Sequence, residues 1–138
     1  MIDEELIAAA NFRAIASLGH DTAPLTRIQA VAIVVDATGD EASRLAGLGL
    51  NEHVLRQRLT LAGIAAVRQA QAGLMPRAEI IASINLLSDD HKMVFGLRYE
   101  HGLSDAEIAE VMSISEDEVV TLMLKALMIV TGAKHGTD

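Results

Sequence analysis

Apolar residues recur every three or four positions along the chain, and strict alternation of apolar and polar residues is not sustained. This spacing predicts amphipathic α-helices and no β-strands. Capping residues and glycines divide the pattern into successive helices joined by short loops. We expect helices over residues 4–18, 27–36, 41–48, 52–72, 76–86, 89–101, 105–112 and 116–130. The sequence therefore predicts an all-α protein.

The predicted helix starts carry capping signals. Thr26, Ser104 and Ser115 are each followed three positions later by Gln or Glu, which is the pattern of a capping box. Gly39 is expected to separate two helices, with Asp40 capping the second of them.

The order long helix, short helix, turn, long helix is typical of a helix-turn-helix unit, and it occurs twice. In the second copy, Ile108 and Val119 face inward and Ile114 fills the turn. We expect two units packed together, residues 1–74 and residues 75–138. The boundary falls in the stretch from Gly73 to Pro76.

Residues 87–130 contain the string VFGLRYEHGLSDAEIAEVMSISEDEV. It resembles region 4 of sigma-70-type sigma factors and the related LuxR-type helix-turn-helix. The resemblance implies a helix-turn-helix fold for this segment. Residues 25–68 form a weaker second copy, in which two additional residues between Glu41 and Leu50 make the turn looser.

Charge is distributed unevenly along the chain, whose net charge is −8. Residues 25–77 carry a net charge of +2, whereas residues 78–138 carry −7. Negative charge repels phosphate, so the middle segment is the expected site for a nucleic-acid backbone. The alternative is that its few positive charges are ordinary solvated surface.

The helix predicted over residues 52–72 is the candidate DNA-reading helix of the first unit. With its leucines facing inward, His53, Arg56 and Gln57 point outward and can contact base edges. The arginines Arg27, Arg44 and Arg58 can bind phosphates. We therefore predict a double-stranded DNA surface at these six residues.

The equivalent helix of the second unit departs from its family. It begins with Glu116, Asp117 and Glu118, and three carboxylates beside phosphate cost at least ~1 kcal/mol each. It is also apolar nearly all round, which requires burial on more than one side, either against the N-terminal half of the chain or against another molecule. We predict a protein interface made by Val120, Leu122, Leu124, Leu127 and Met128.

Several kinds of function lack support in the sequence. There is no Cys, and Phe12, Phe95 and Tyr99 are the only aromatic residues, which excludes thiolate metal sites and stacked-aromatic RNA surfaces. No metal-ligand or catalytic motif is present. We expect no enzyme activity, no cofactor, no metal, no signal peptide, no membrane span and a cytoplasmic location.

These observations favour a transcription regulator. Its first unit would bind DNA, and its second unit would contact RNA polymerase, a sigma-related protein or a second copy of the chain. One alternative is a sigma mimic or adaptor that binds protein but not DNA. Another is a DNA-packaging subunit similar to the small terminase of phages, which would form a large ring.

Overall fold

The computed structural model describes residues 2–73 and 84–135. Within these ranges the chain forms α-helices and one short 3-10 helix, with no β-strand, so the predicted all-α fold is confirmed. The elements are α1 (Glu4–Leu18), α2 (Arg27–Leu45), α3 (Glu52–Gln71), the 3-10 helix (Ile84–Leu86), α4 (Asp89–Tyr99), α5 (Asp105–Met112) and α6 (Glu116–His135).

Most helices begin where their capping residues predict. The Thr26 hydroxyl accepts a hydrogen bond from the Gln29 N–H at 3.2 Å, and Gln29 Oε1 accepts from the Thr26 N–H at 3.0 Å. Ser104 and Glu107 form the same reciprocal pair at the start of α5. These bonds satisfy N–H groups that have no partner inside the helix.

The predicted break at Gly39 is wrong. Residues 27–45 form one continuous helix, so residues 41–45 of the short helix predicted over residues 41–48 are the last part of α2, and residues 46–48 lie in the turn that follows. The weaker helix-turn-helix copy predicted over residues 25–68 therefore lacks its separate short helix. Glycine costs about 1 kcal/mol in a helix interior. Side chains before and after Gly39 in the sequence are buried, and the free energy gained by their burial outweighs that cost. These side chains are Ala37, Thr38, Ala42 and Leu45.

The N-terminal half is a three-helix unit in which α1, α2 and α3 pack on one another. The helices approach closely at Gly63 of α3, where an added Cβ would lie 3.0 Å from Val34 Cγ1 and 3.2 Å from Ala14 Cβ. The buried Thr38 hydroxyl donates a hydrogen bond to Asn11 Oδ1, which joins α2 to α1.

The C-terminal half is a second three-helix unit made by α4, α5 and α6. Its centre is the buried ring of Phe95, which meets the Tyr99 ring edge-on with 5.3 Å between ring centroids. Ile108 and Val119 are fully buried, as the inward positions of the pattern predict. The fold is thus consistent with two tri-helical units.

One cluster of buried residues runs through both units, so they share a core. At their junction the Phe12 ring lies over Gly102, and the Arg27 guanidinium pairs with Glu100. The helix predicted over residues 76–86 lies mostly outside the described residues, as does the proposed boundary between residues 74 and 75.

In the described parts of the chain, no helix is long and apolar enough to span a membrane. Neither do His, Asp or Glu side chains there form a group that could hold a metal ion.

Candidate functional site

The start of α3 is set by Asn51, whose side chain accepts a hydrogen bond from the Val54 N–H at 2.9 Å. Leu59 is fully buried one to two turns further on and fixes the rotation of the helix. His53 and Gln57 are consequently exposed, while Arg56 is half-buried. These three side chains lie on the side of α3 that faces α1.

A groove of about 180 Å³ lies between α1 and α3. Its lining residues are Arg13, His53, Arg56, Gln57, Thr60 and Leu61. Arg56 Nη2 lies 3.5 Å from Glu52 Oε1, and the Arg56 carbonyl accepts a hydrogen bond from the Thr60 hydroxyl at 2.7 Å. Arg56 Nε is buried and has no hydrogen-bond partner within the described chain.

The other three predicted phosphate-binding arginines lie elsewhere. Arg44, at the end of α2, forms two parallel hydrogen bonds to Glu41, each 2.8 Å long. These bonds lower the pKa of Glu41, and the positive charge of Arg58 lowers it further. Arg58 itself is exposed on α3.

Arg27 lies at the opposite end of α2 from Arg44, ~25 Å away along the helix axis. Its Nε is 3.5 Å from Glu100 Oε2, and its Nη1 donates to the Gly19 carbonyl oxygen. The structure thus brings His53, Arg56 and Gln57 together and leaves Arg27, Arg44 and Arg58 outside their groove.

The turn between α5 and α6 is a compact helix-turn-helix connection. Ser113 adopts the left-handed conformation, with φ 58° and ψ 44°, and ends α5. The Ile114 N–H then donates to the Ala109 carbonyl at 3.0 Å, which closes the turn. The Ser115 hydroxyl accepts from the Glu118 N–H at 3.1 Å, so α6 begins at Glu116.

Helix α6 buries one face and exposes the opposite one. Val119, Met123, Ala126 and Val130 face the core. On the exposed side, the relative accessibility rises along one stripe, from 42% at Val120 to 56% at Leu124 and 72% at Met128. We call these three residues the α6 stripe. The other two predicted interface residues, Leu122 and Leu127, are partly buried and pack against the core.

Acidic side chains surround the start of α6. Glu116, Asp117 and Glu118 are all exposed in its first turn. Asp117 and Glu118 also border a groove of about 460 Å³, together with Asp90 at the start of α4. Met112, Ile114 and Leu122 line the same groove. The surface here therefore combines carboxylates with apolar side chains.

Three residues of the α1–α3 groove, Arg13, Thr60 and Leu61, are not among those predicted from the sequence. Arg13 belongs to a helix far away in sequence, so only the packing of α1 on α3 reveals it. The sequence does indicate the pairing of Arg44 with Glu41, because residues three positions apart on a helix are neighbours.

Comparison with protein families identifies residues 84–129 with sigma-70, region 4. The match covers the 3-10 helix, α4, α5 and α6 as far as residue 129, and these residues form a helix-turn-helix segment of the sigma-70 region 4 type. The match supports a sigma-like, transcription-related role. Comparisons with curated proteins and with solved structures give no significant match.

Proposed function

We propose that this chain is a transcription-regulatory adaptor that acts in the cytoplasm and binds a protein through α6. Residues 75–138 would form the binding unit, and residues 1–74 would support it. The partner we propose is RNA polymerase or a sigma-related protein. This proposal favours the adaptor alternative over direct DNA reading by the first unit.

The α6 stripe is the observation that carries the proposal. In a helix-turn-helix the second helix enters the major groove and offers hydrogen-bond donors to the bases. Here that helix exposes Val120, Leu124 and Met128 and begins with three carboxylates. Apolar side chains gain free energy when a protein partner covers them, whereas the carboxylates are repelled by phosphate.

The charge of the second unit bears on the choice of partner. Residues 78–138 carry a net charge of −7, so two copies meeting through this surface would repel each other. A partner with basic residues around an apolar patch would complement both features of α6. We therefore expect homodimerisation through α6 to be less favourable than binding of α6 to a basic surface on another protein.

The test measures binding of the full chain to immobilised RNA polymerase in the absence of DNA. The same measurement is then made with immobilised sigma-related proteins. Leu124→Glu is expected to weaken binding at least ~10-fold, because a charge at the centre of an apolar interface is costly. Leu48→Glu is the matched control, since Leu48 is 61% exposed but lies outside α6. Binding to none of these proteins, or equal losses in both variants, would overturn the proposal.

DNA binding by the start of α3 is the second candidate function. It is favoured by the joint exposure of His53 and Gln57 beside Arg56. In a gel-shift experiment at low salt, an Arg56→Ala/Arg58→Ala double variant should lose binding if this candidate is correct. If the unaltered chain does not shift a duplex, this candidate fails. A large closed oligomer in light scattering would instead favour the DNA-packaging alternative.

A further inference from the structure

Among the residues that the structure describes, the groove between α1 and α3 is lined by five polar side chains and by Leu61, and no carboxylate lines it, although the Glu52 carboxylate pairs with Arg56. Arg13 contributes one guanidinium from α1, and Arg56 contributes a second from α3. His53, Gln57 and Thr60 add three further polar side chains. These donors are concentrated in one concavity of a chain whose net charge is −8.

Most of these donors are unused within the described chain. Arg13, His53 and Gln57 make no side-chain hydrogen bond or ion pair with any residue that the structure describes. Arg56 Nε is buried without a partner, although Nη2 of the same guanidinium reaches Glu52. A buried donor without an acceptor is unfavourable, and a bound ligand can supply the acceptor.

We infer that this groove binds a phosphate group. Phosphate oxygens accept several hydrogen bonds at once, and the planar guanidinium of arginine matches them with two parallel donors. Two arginines from different helices can approach one phosphate from two directions. The volume of about 180 Å³ suits a compact anion, because pockets for larger organic ligands begin near ~300 Å³.

A phosphate site here is independent of protein binding by α6, because no residue of α6 takes part in it, and it shares His53, Arg56 and Gln57 with the second candidate function. The phosphate could belong to a small phosphorylated molecule or to the backbone of DNA. Both sources present the same oxygens to the groove, so the chemistry that recognises them is shared. The experiment below separates the two.

The test is an NMR titration of the ¹⁵N-labelled full chain with inorganic pyrophosphate, at ionic strength held constant with sodium chloride. Backbone amides of the groove residues on α1 and α3 are expected to shift with a single saturable binding curve. Arg13→Gln should weaken that binding about tenfold, because a charge-assisted hydrogen bond is lost. Arg68→Gln is the matched control, since Arg68 is exposed on the same helix as Arg56 but outside the groove and outside the predicted DNA surface. It should change the affinity less than ~2-fold.

A second titration uses a DNA duplex of about 20 base pairs in place of pyrophosphate. If the duplex competes with pyrophosphate and Arg13→Gln weakens both, the groove holds a backbone phosphate. If pyrophosphate binds and the duplex does not compete, the groove serves a small phosphorylated molecule. Either result supports a phosphate site.

Two results would overturn the inference. The first is that pyrophosphate shifts the groove amides no more than sodium chloride of equal ionic strength does. The second is that Arg13→Gln and Arg68→Gln weaken binding equally, which indicates diffuse attraction to positive charge. Circular dichroism checks that each variant folds. Should Arg13→Gln fail to fold, Gln57→Ala takes its place, because Gln57 is an exposed groove residue and is expected to weaken binding ~3-fold.

Discussion

Arg27 at the start of α2 forms an ion pair with Glu100 at the end of α4, with 3.5 Å between Nε and Oε2. The pair joins the N-terminal three-helix unit to the sigma region 4-like segment. Arg27, which the sequence predicts to bind phosphate, therefore lies against a carboxylate. One of the few positively charged side chains of the first unit therefore contacts the second unit.

We expect a measurable but small coupling between Arg27 and Glu100. Their side chains are 35% and 22% exposed, and partly exposed ion pairs contribute ~0.5–1 kcal/mol. A double-mutant cycle of Arg27→Gln and Glu100→Gln, measured by urea denaturation, gives this coupling directly. The cycle is needed because Arg27 also donates to the Gly19 carbonyl, so its single variant loses more. A coupling of zero would contradict the contact.

Two glycines inside helices are expected to respond oppositely to replacement by alanine. At Gly39 nothing lies within 4 Å of an added Cβ, so Gly39→Ala should stabilise the fold by ~0.5–1 kcal/mol through helix propensity. At Gly63 the added Cβ would meet Val34 Cγ1 at 3.0 Å. Overpacking there should destabilise the fold by ~1–3 kcal/mol.

Chemical denaturation of the two variants beside the unaltered chain measures both effects. The comparison is internally controlled, because the chemical change is the same in each variant. A stabilising Gly63→Ala would show that α1 and α2 can move away from α3 at little cost. A destabilising Gly39→Ala would contradict the continuous α2.

Tyr99 is expected to ionise only at strongly alkaline pH. Burial raises the pKa of Tyr99 from 10.0 to about 12. Because the raised pKa belongs to the folded state, the contribution of the protonated Tyr99 to the free energy of unfolding is fully present below pH ~10. This contribution is lost as the pH rises towards 12. The free energy of unfolding should fall by up to ~1.4 kcal/mol per pH unit in this window.

Absorbance near 295 nm follows the ionisation of Tyr99 without interference, because the chain has one Tyr and no Trp. Tyr99→Phe removes the hydroxyl, so the stability difference between this variant and the unaltered chain should change between pH 10 and 12. A phenol that titrates near its ordinary pKa while the chain remains folded would contradict the buried position.

Local capping signals made much of the fold predictable from the sequence. Ser104, Ser115 and Asn51 start their helices as expected, because a capping bond needs only residues two or three positions apart. The break expected at Gly39 failed because it depended on local propensity, which the burial of Thr38 and Ala42 outweighs. Long-range packing of this kind leaves no short-range pattern.

The candidate surfaces were predictable in part, for the same reason. Helical spacing and composition indicated that α6 has more apolar surface than its own unit covers. They could not separate Leu124, which is exposed, from Leu127, which packs against the core. The groove between α1 and α3 could not be predicted from the sequence, because only tertiary packing brings Arg13 and Arg56 to the same groove.

Helix α6 is proposed to contact protein with the surface that a DNA-reading helix would turn to the bases. Leu124, in the middle of the α6 stripe, is the position to test, with a photo-reactive amino acid placed there in the full chain. The sample contains RNA polymerase, sigma-related proteins and duplex DNA together, and the same probe at Leu48 is the control. We expect protein cross-links from position 124 that are absent from position 48. Cross-links from position 124 to DNA, without protein cross-links, would contradict it.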